Sequence, residues 1–262
     1  MMAILKTIFY VPLYNGLVFL MDILPFADAG ISLVLFTIIV KLALFPLSQK
    51  AIKEQLRMKE TNEELNKVKE KHKGNREQQA RAVLAFYKEK KINPFSGVLV
   101  MFIQLPIIIA LYSIFLNGGL PKISSELLYP FVSIPDAVSM SFLGFIDITK
   151  KNIILALIAA ALQYFQSALA TPPAPAPSKT GGVPNMAESF AKSMQFQMKY
   201  IFPAMIFFIA YAYSGVVALY LITSSAFAVG QELYVRRSNR LRLAGEAVIA
   251  KITPPSLKDG VK

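Results

Sequence analysis

The chain has 262 residues, 55% of them hydrophobic, with a formal charge of +12 and no cysteine. That composition, with several long apolar runs, describes an integral membrane protein rather than a soluble globule. It excludes a disulfide framework, a thiol nucleophile and a zinc–thiolate site, and the single histidine, His72, lies among lysines in a charged segment.

Residues 4–24 are apolar but interrupted by Pro12, Asn15 and Gly16 and bracketed by Lys6 and Asp22. Three readings compete. Ala27-Asp28-Ala29 resembles a signal-peptide cleavage site, although the basic lead is thin. A full span would need a very tight turn at Pro25 to Gly30. The favoured reading is an amphipathic segment, within residues 1–29, lying in the membrane interface.

The first span is placed at 30–48, within which Ile31 to Ser48 reads ISLVLFTIIVKLALFPLS. A spanning helix needs about 20 mostly apolar residues at about 1.5 Å each, so a continuous helix puts Lys41 about 15 Å from one end and 10 Å from the other. A lysine at that depth costs about 2.5–3.5 kcal/mol unless it snorkels or faces water, which makes it a functional-site candidate. Snorkelling toward the nearer end is the alternative. Thr37, Lys41 and Ser48 fall on one helical stripe, so one side of this helix is expected to be wet.

Residues 49–96 change to Lys, Glu and Gln and read as a helical hairpin projecting from the membrane. Ile52, Leu56, Leu65 and Val68 form one apolar seam, Ala80, Val83, Leu84 and Tyr87 the other, and Lys73-Gly74-Asn75 the turn. A solvated charged linker is the competing reading. The second span, 97–116, contains Gln104 and Pro106, and the proline is expected to kink it. Residues 117–151 form a mixed loop with short helical pieces. The third span, 152–170, carries Gln163, Gln166 and Ser167 on one face.

Residues 171–198 open with the Pro/Gly-rich TPPAPAPSKTGGVP, expected to be a mobile linker. A short fourth span at 199–212 and a tight turn at Tyr213-Ser214-Gly215 lead into the fifth span, which reaches Val235. Tyr220, Ser224 and Gln231 repeat the polar spacing of the first span. A basic tail occupies 236–262.

Loop charge sets the orientation. Thirteen Lys and Arg lie between Lys50 and Lys91 and seven from Arg236 onward, whereas the N-terminus and the 117–149 loop hold only Lys6 and Lys122. The positive-inside rule then gives an outside N-terminus, five spans and a cytoplasmic hairpin and C-terminus. The fold class is therefore all-α: a five-helix membrane bundle with a cytoplasmic helical hairpin.

If the polar faces converge, the bundle encloses a hydrated cavity walled by Lys41, Thr37, Gln104, Gln163, Gln166, Tyr220 and Ser224. Interhelical hydrogen bonding that merely holds the bundle together explains the glutamines and serines equally well. Spans one to four contain no acidic residue, so Lys41 looks to an anion from elsewhere: a solute, a lipid headgroup or an acidic segment of another protein.

The order of one charged span, a hairpin ending in Ala85-Phe86-Tyr87-Lys88, then Asn93-Pro94-Phe95-Ser96-Gly97, Ile103-Gln104-Leu105-Pro106, and Tyr213-Ser214-Gly215 leading to Leu219-Tyr220, resembles the YidC-type membrane protein insertases. The likeness covers roughly residues 10–240. It implies a bacterial cytoplasmic-membrane protein whose groove is open to cytoplasm and lipid but closed toward the outside. Lys41 stands where that family carries a groove arginine that attracts acidic or polar parts of a client, and Gln104, Gln166, Tyr220 and Ser224 would line the groove. Greasy surfaces at Leu99, Phe102, Phe202, Met205, Phe207 and Phe208 would pass the client's apolar segment into lipid.

The resemblance also implies nascent membrane proteins as clients, the ribosome and the Sec translocon as partners, and no small-molecule cofactor. The hairpin would recruit substrate or ribosome. Arg236, Arg237, Arg240 and Arg242 would contact the ribosome, though anionic lipid explains them at about 1 kcal/mol each. Two departures stand out: lysine replaces arginine, and it keeps its charge only where water reaches it; Tyr213 replaces a proline at the turn. The large outer domain and leading span of some relatives are not present in these residues. A small-solute channel or secondary transporter is the main rival, and it usually carries internal repeats, which are not found here. A membrane-embedded enzyme would lack nucleophile and proton-transfer groups.

Overall fold

In the computed structural model, residues 6–24, 28–72, 74–93, 96–116, 120, 122–170, 193 and 195–252 are described. A π-helical turn, Lys6–Tyr10, leads into α1 (Val11–Ile23). Its inner face buries Leu13, Tyr14, Leu17, Val18 and Met21 against the bundle, while Phe19 and Ile23 are exposed. The two residues that interrupt its apolar run have local reasons. A Cβ on Gly16 would lie 2.5 Å from the Phe36 ring, so glycine lets α1 close on the next helix. The Asn15 side-chain amide donates to the carbonyls of Val11 (2.9 Å) and Leu127 (2.8 Å), and its oxygen accepts from Tyr129 N (2.6 Å).

Helix α2 (Ala29–Ala43) starts where the Asp28 carboxylate accepts from Ile31 N at 2.9 Å. It stops at Leu44, and α3 (Phe45–Glu60) leaves at a 63° bend. The expected unbroken span through Ser48 is thus broken. Pro46 supplies the cause: it fits the first turn of a new helix, but it has no N–H to donate to Leu42 O and its ring crowds that carbonyl, so α2 cannot run on through it. As a consequence Lys41 lies in the last turn of α2 rather than midway along a span.

The charged segment does form a helical hairpin, with its first arm split at Thr61 into α3 and α4 (Asn62–Lys71) and its second arm formed by α5 (Arg76–Glu89). Asn75 caps α5 by accepting from Glu77 N and Gln78 N. Leu65 and Phe86 are buried in the seam, whereas Leu84, expected there, is exposed. Lys90 pairs with Glu64 at 2.5 Å across the arms. Lys73 of the expected turn lies outside the described residues. The buried Glu54 carboxylate accepts from Asn93 N at 3.1 Å and anchors the returning chain at the base.

Helix α6 (Ser96–Leu116) continues through Pro106. The following loop holds a 3-10 turn, Ser125–Leu127, and a two-stranded ribbon of β1 (Ser141–Phe142) and β2 (Ile146–Asp147), the latter in a segment expected to be a mixed loop with short helical pieces. Helix α7 (Ile153–Ala170) is capped by Asn152. A second π-turn, Gln197–Ile201, precedes α8 (Phe202–Ala212). The expected linker at 171–184 lies outside the described residues.

Helix α9 runs from Gly215 to Ile252, so the arginines expected in a tail stand on a continuation of the membrane helix. It packs on α7 and α2, and α7 in turn on α8. The small residues Ala156, Ala159 and Ala218, all fully buried, allow the close approach. The chain is mostly helical. Among the described residues α7 and the Gly215–Arg242 part of α9 are long and apolar enough to cross a membrane, and the bent pair α2–α3 is a third candidate.

Candidate functional site

Three helices that are distant in sequence meet at Lys41. The Lys41 ammonium donates to Gln104 Oε1 at 3.0 Å, and Gln104 Nε2 in turn donates to the Tyr220 hydroxyl, which is also hydrogen-bonded to Ser224. The chain of contacts therefore runs from α2 through α6 to α9. Phe36, Thr37, Val40, Ile107 and Leu111 complete the wall of a cavity of about 10 Å³. That is room for about one water molecule.

The electrostatics are lopsided. Among the described residues the ion pairs all lie elsewhere, so the Lys41 charge faces a neutral amide rather than a carboxylate. A cation lined by Phe36, Val40, Ile107 and Leu111 is poorly solvated, and it favours any anionic or strongly polar group that can reach it. Thr37 lines the cavity, yet its hydroxyl donates to Leu33 O at 2.7 Å, four residues back on its own helix. Ser48 does the same to Leu44 O.

The glutamines of α7 are placed differently. Gln163 is buried in the α7–α9 interface, where its Oε1 accepts from Ser225 at 3.2 Å and its Nε2 donates to Ser167 at 3.4 Å. Gln166 is half-buried on the same helix, and neither lines the Lys41 cavity. Gln231 reaches across to Phe45 O at 3.1 Å, beside the bend between α2 and α3.

Of the apolar candidates, Leu99 and Phe102 lie on α6 with side chains outside the described set. Phe202 and Phe207 are half-buried on α8, Met205 and Phe208 are exposed, and Phe207 stacks on Tyr211 with ring centroids 6.1 Å apart.

The four arginines separate into two groups. Arg236 donates through Nε to the buried Glu232 at 2.8 Å and through its guanidinium to Leu169 O. Lys59 Nζ donates to the same carbonyl at 2.8 Å, and Gln55 Nε2 to Ala170 O. Helix α7 thus ends against side chains from α3 and α9, which satisfy carbonyls that the helix itself cannot and match the negative end of its dipole. Asn239 adds a contact to Glu60 at 3.2 Å. Arg237 and Arg240 are exposed, and exposed Arg242 donates to Asn239. Sequence reasoning missed Gln55, Lys59 and Glu232; a cation at an i, i+4 distance from Glu232 is the one signal that pointed to this clamp.

A family model described as "60Kd inner membrane protein" matches residues 20–242. The chain belongs to that family. Curated relatives include proteins named "Membrane protein insertase YidC" from Clostridium tetani, 27% identical over 213 residues (81% of this chain, 84% of the relative), and Fusobacterium nucleatum, 28% over 208 residues (79% and 86%). Against the longer relative of that name from Azotobacter vinelandii, 27% identity over 209 residues covers 79% of this chain but 32% of the relative. The segment matched to the 60Kd inner membrane protein family contains Lys41, Gln104, Tyr220, Ser224 and the α7 clamp.

Proposed function

We propose that this chain is a membrane protein insertase of the bacterial cytoplasmic membrane, with a five-span core, an outside N-terminus and a cytoplasmic hairpin and C-terminus. Membership of the family and the names of its relatives support the activity. The observation that carries the mechanism is the Lys41 ammonium, set in a largely apolar wall and coupled through Gln104 to Tyr220.

A short polar tail of a client meets a lower barrier when it leaves water for a wet, cationic recess than when it enters hydrocarbon. With room for about one water, the recess must widen by separating α2 from α6, exchanging the Lys41–Gln104 hydrogen bond for one to the client. A carboxylate at about 4 Å from Lys41 gains ~4 kcal/mol at an effective dielectric of ~20, enough to recruit and weak enough to release. The client's apolar segment then moves along α6 and α8 at Leu99, Phe102, Phe202, Met205 and Phe207 into lipid. Burial of its side chains drives that step. Gln163 and Gln166 would be reached only by a wider opening. Nascent membrane proteins are the clients in this reading, with the ribosome, the Sec translocon and anionic lipids as partners of the exposed hairpin and of Arg237, Arg240 and Arg242.

The test is insertion of a client with a short acidic outer tail into vesicles carrying the wild type, Lys41→Arg or Lys41→Ala. Insertion by wild type and arginine but not by alanine is the expected result. Equal insertion by alanine would remove the charge from the mechanism, and solute flux in the same vesicles would redirect the assignment to a transporter.

A further inference from the structure

The ribbon segment between α6 and α7 is hydrogen-bonded to the starts of two candidate membrane helices and leads directly into a third. Ala29 N, at the start of α2, donates to Ser139 O at 2.9 Å; Gly215 N and Val216 N, at the start of α9, donate to Lys150 O (2.8 Å) and Ile148 O (2.9 Å). Helix α7 begins at Ile153, with Ile153 and Ile154 exposed on its outer surface as lipid-facing residues would be. The seat is tight: a Cβ on Gly30 would lie 2.6 Å from Phe142, and one on Gly215 would lie 3.1 Å from the Ile148 backbone. The ribbon therefore has a fixed height, at the level where three candidate spans begin.

Its tip is apolar. Leu143 and Phe145 are 55% and 75% exposed and flank Gly144. Leu143 holds φ +55° and Gly144 φ +79°, so a bulky apolar residue occupies a left-handed position that glycine or asparagine fills at less steric cost. Phe145 stands three residues from Ile148, hence at most ~10 Å from the level of the helix ends. The polar layer on each side of a bilayer is ~5–8 Å thick. The exposed Lys150 ammonium, 3.0 Å from Asp147, and exposed Lys151 follow the ribbon in the chain, just before α7 begins.

We propose that the Leu143-Gly144-Phe145 tip inserts into the headgroup–acyl boundary of the bilayer and pins this end of the bundle at a fixed depth. The proposal rests on α7 crossing the membrane. An apolar tip tethered within about 10 Å of the helix ends, with two exposed lysines following it in the chain, matches the chemistry of an interfacial anchor.

The chain has no tryptophan, so a single Phe145→Trp substitution supplies the sole indole emission. In vesicles, that variant should emit at shorter wavelength than tryptophan in water. Its emission should be lost to lipids brominated near the headgroup end of the acyl chain, more than to lipids brominated near the chain terminus. Phe165→Trp, at an exposed position within α7, reports the spanning reading and should be quenched most by the deep bromines. Water-like, unquenched emission from Phe145→Trp alongside a quenched Phe165→Trp overturns the anchor and leaves the span intact. A blue-shifted but unquenched Phe145→Trp whose shift disappears on dilution in lipid assigns the tip to a second copy of the chain and also overturns it. If Phe165→Trp is unquenched as well, the spanning reading and the anchor fall together.

Discussion

Lys41 and Gln104, 63 positions apart, meet at 3.0 Å and tie the end of α2 to the middle of α6. The contact couples a charge to a neutral acceptor, so the charge remains available to a client. Gln104→Glu should change that by giving Lys41 an internal carboxylate. Insertion of acid-tailed clients is then expected to fall about tenfold or more, since ~1.4 kcal/mol of lost attraction suffices. Gln104→Leu removes the acceptor and should destabilise the protein by about 1–3 kcal/mol. Vesicle insertion rates and thermal melts in detergent separate the two effects.

Arg236 and Arg237 are neighbours with different environments. Arg236→Ala strands the buried Glu232 and removes one contact to the α7 carbonyl of Leu169, for an expected loss of about 2–3 kcal/mol, below the range for a fully buried pair because the arginine is partly exposed. Arg237→Ala should leave stability unchanged within about 0.5 kcal/mol. Ribosome co-sedimentation at low salt should show the reverse order, falling with Arg237→Ala and Arg240→Ala in particular. Equal co-sedimentation by all variants would assign these arginines to lipid alone.

Gly16 lets α1 approach Phe36. Gly16→Val should overpack this contact and cost about 1–3 kcal/mol. Adding Phe36→Leu should recover part of that loss, and the coupling in a double-mutant cycle measures how tightly α1 is held. Additive losses would mean that α1 shifts freely on the bundle.

Asp147 titrates low, at about 2, because the Thr149 hydroxyl, the Lys150 ammonium and the Thr149 backbone N–H all bond its charged form. Its folded value lies below the unfolded ~3.9, so its contribution to stability is present above that value and is lost as pH falls toward 2. The carboxylate is exposed to solvent, which keeps the effect small. A carboxyl titration by NMR should give a midpoint near 2, and Asp147→Asn should flatten the melting temperature across this window.

The class of protein, the places of the long apolar helices and the singularity of Lys41 follow from the sequence, because hydropathy and a buried charge are local properties read along one segment. The hairpin was legible for the same reason, with Asn75 read as part of its turn, whereas the capping of its second arm by Asn75 was seen only in the structure. Partner choice was not. Gln104 and Gln163 look alike as polar groups in apolar helices, yet one meets Lys41 and the other Ser225, because helix rotation and crossing decide which face each presents. Arg236 read as one of four equivalent surface cations until the end of α7 was placed beside it. The bend at Leu44 and the ribbon at 141–147 also waited on the fold: a proline permits either a kink or a new helix, and a two-residue strand has meaning only against the strand that pairs with it.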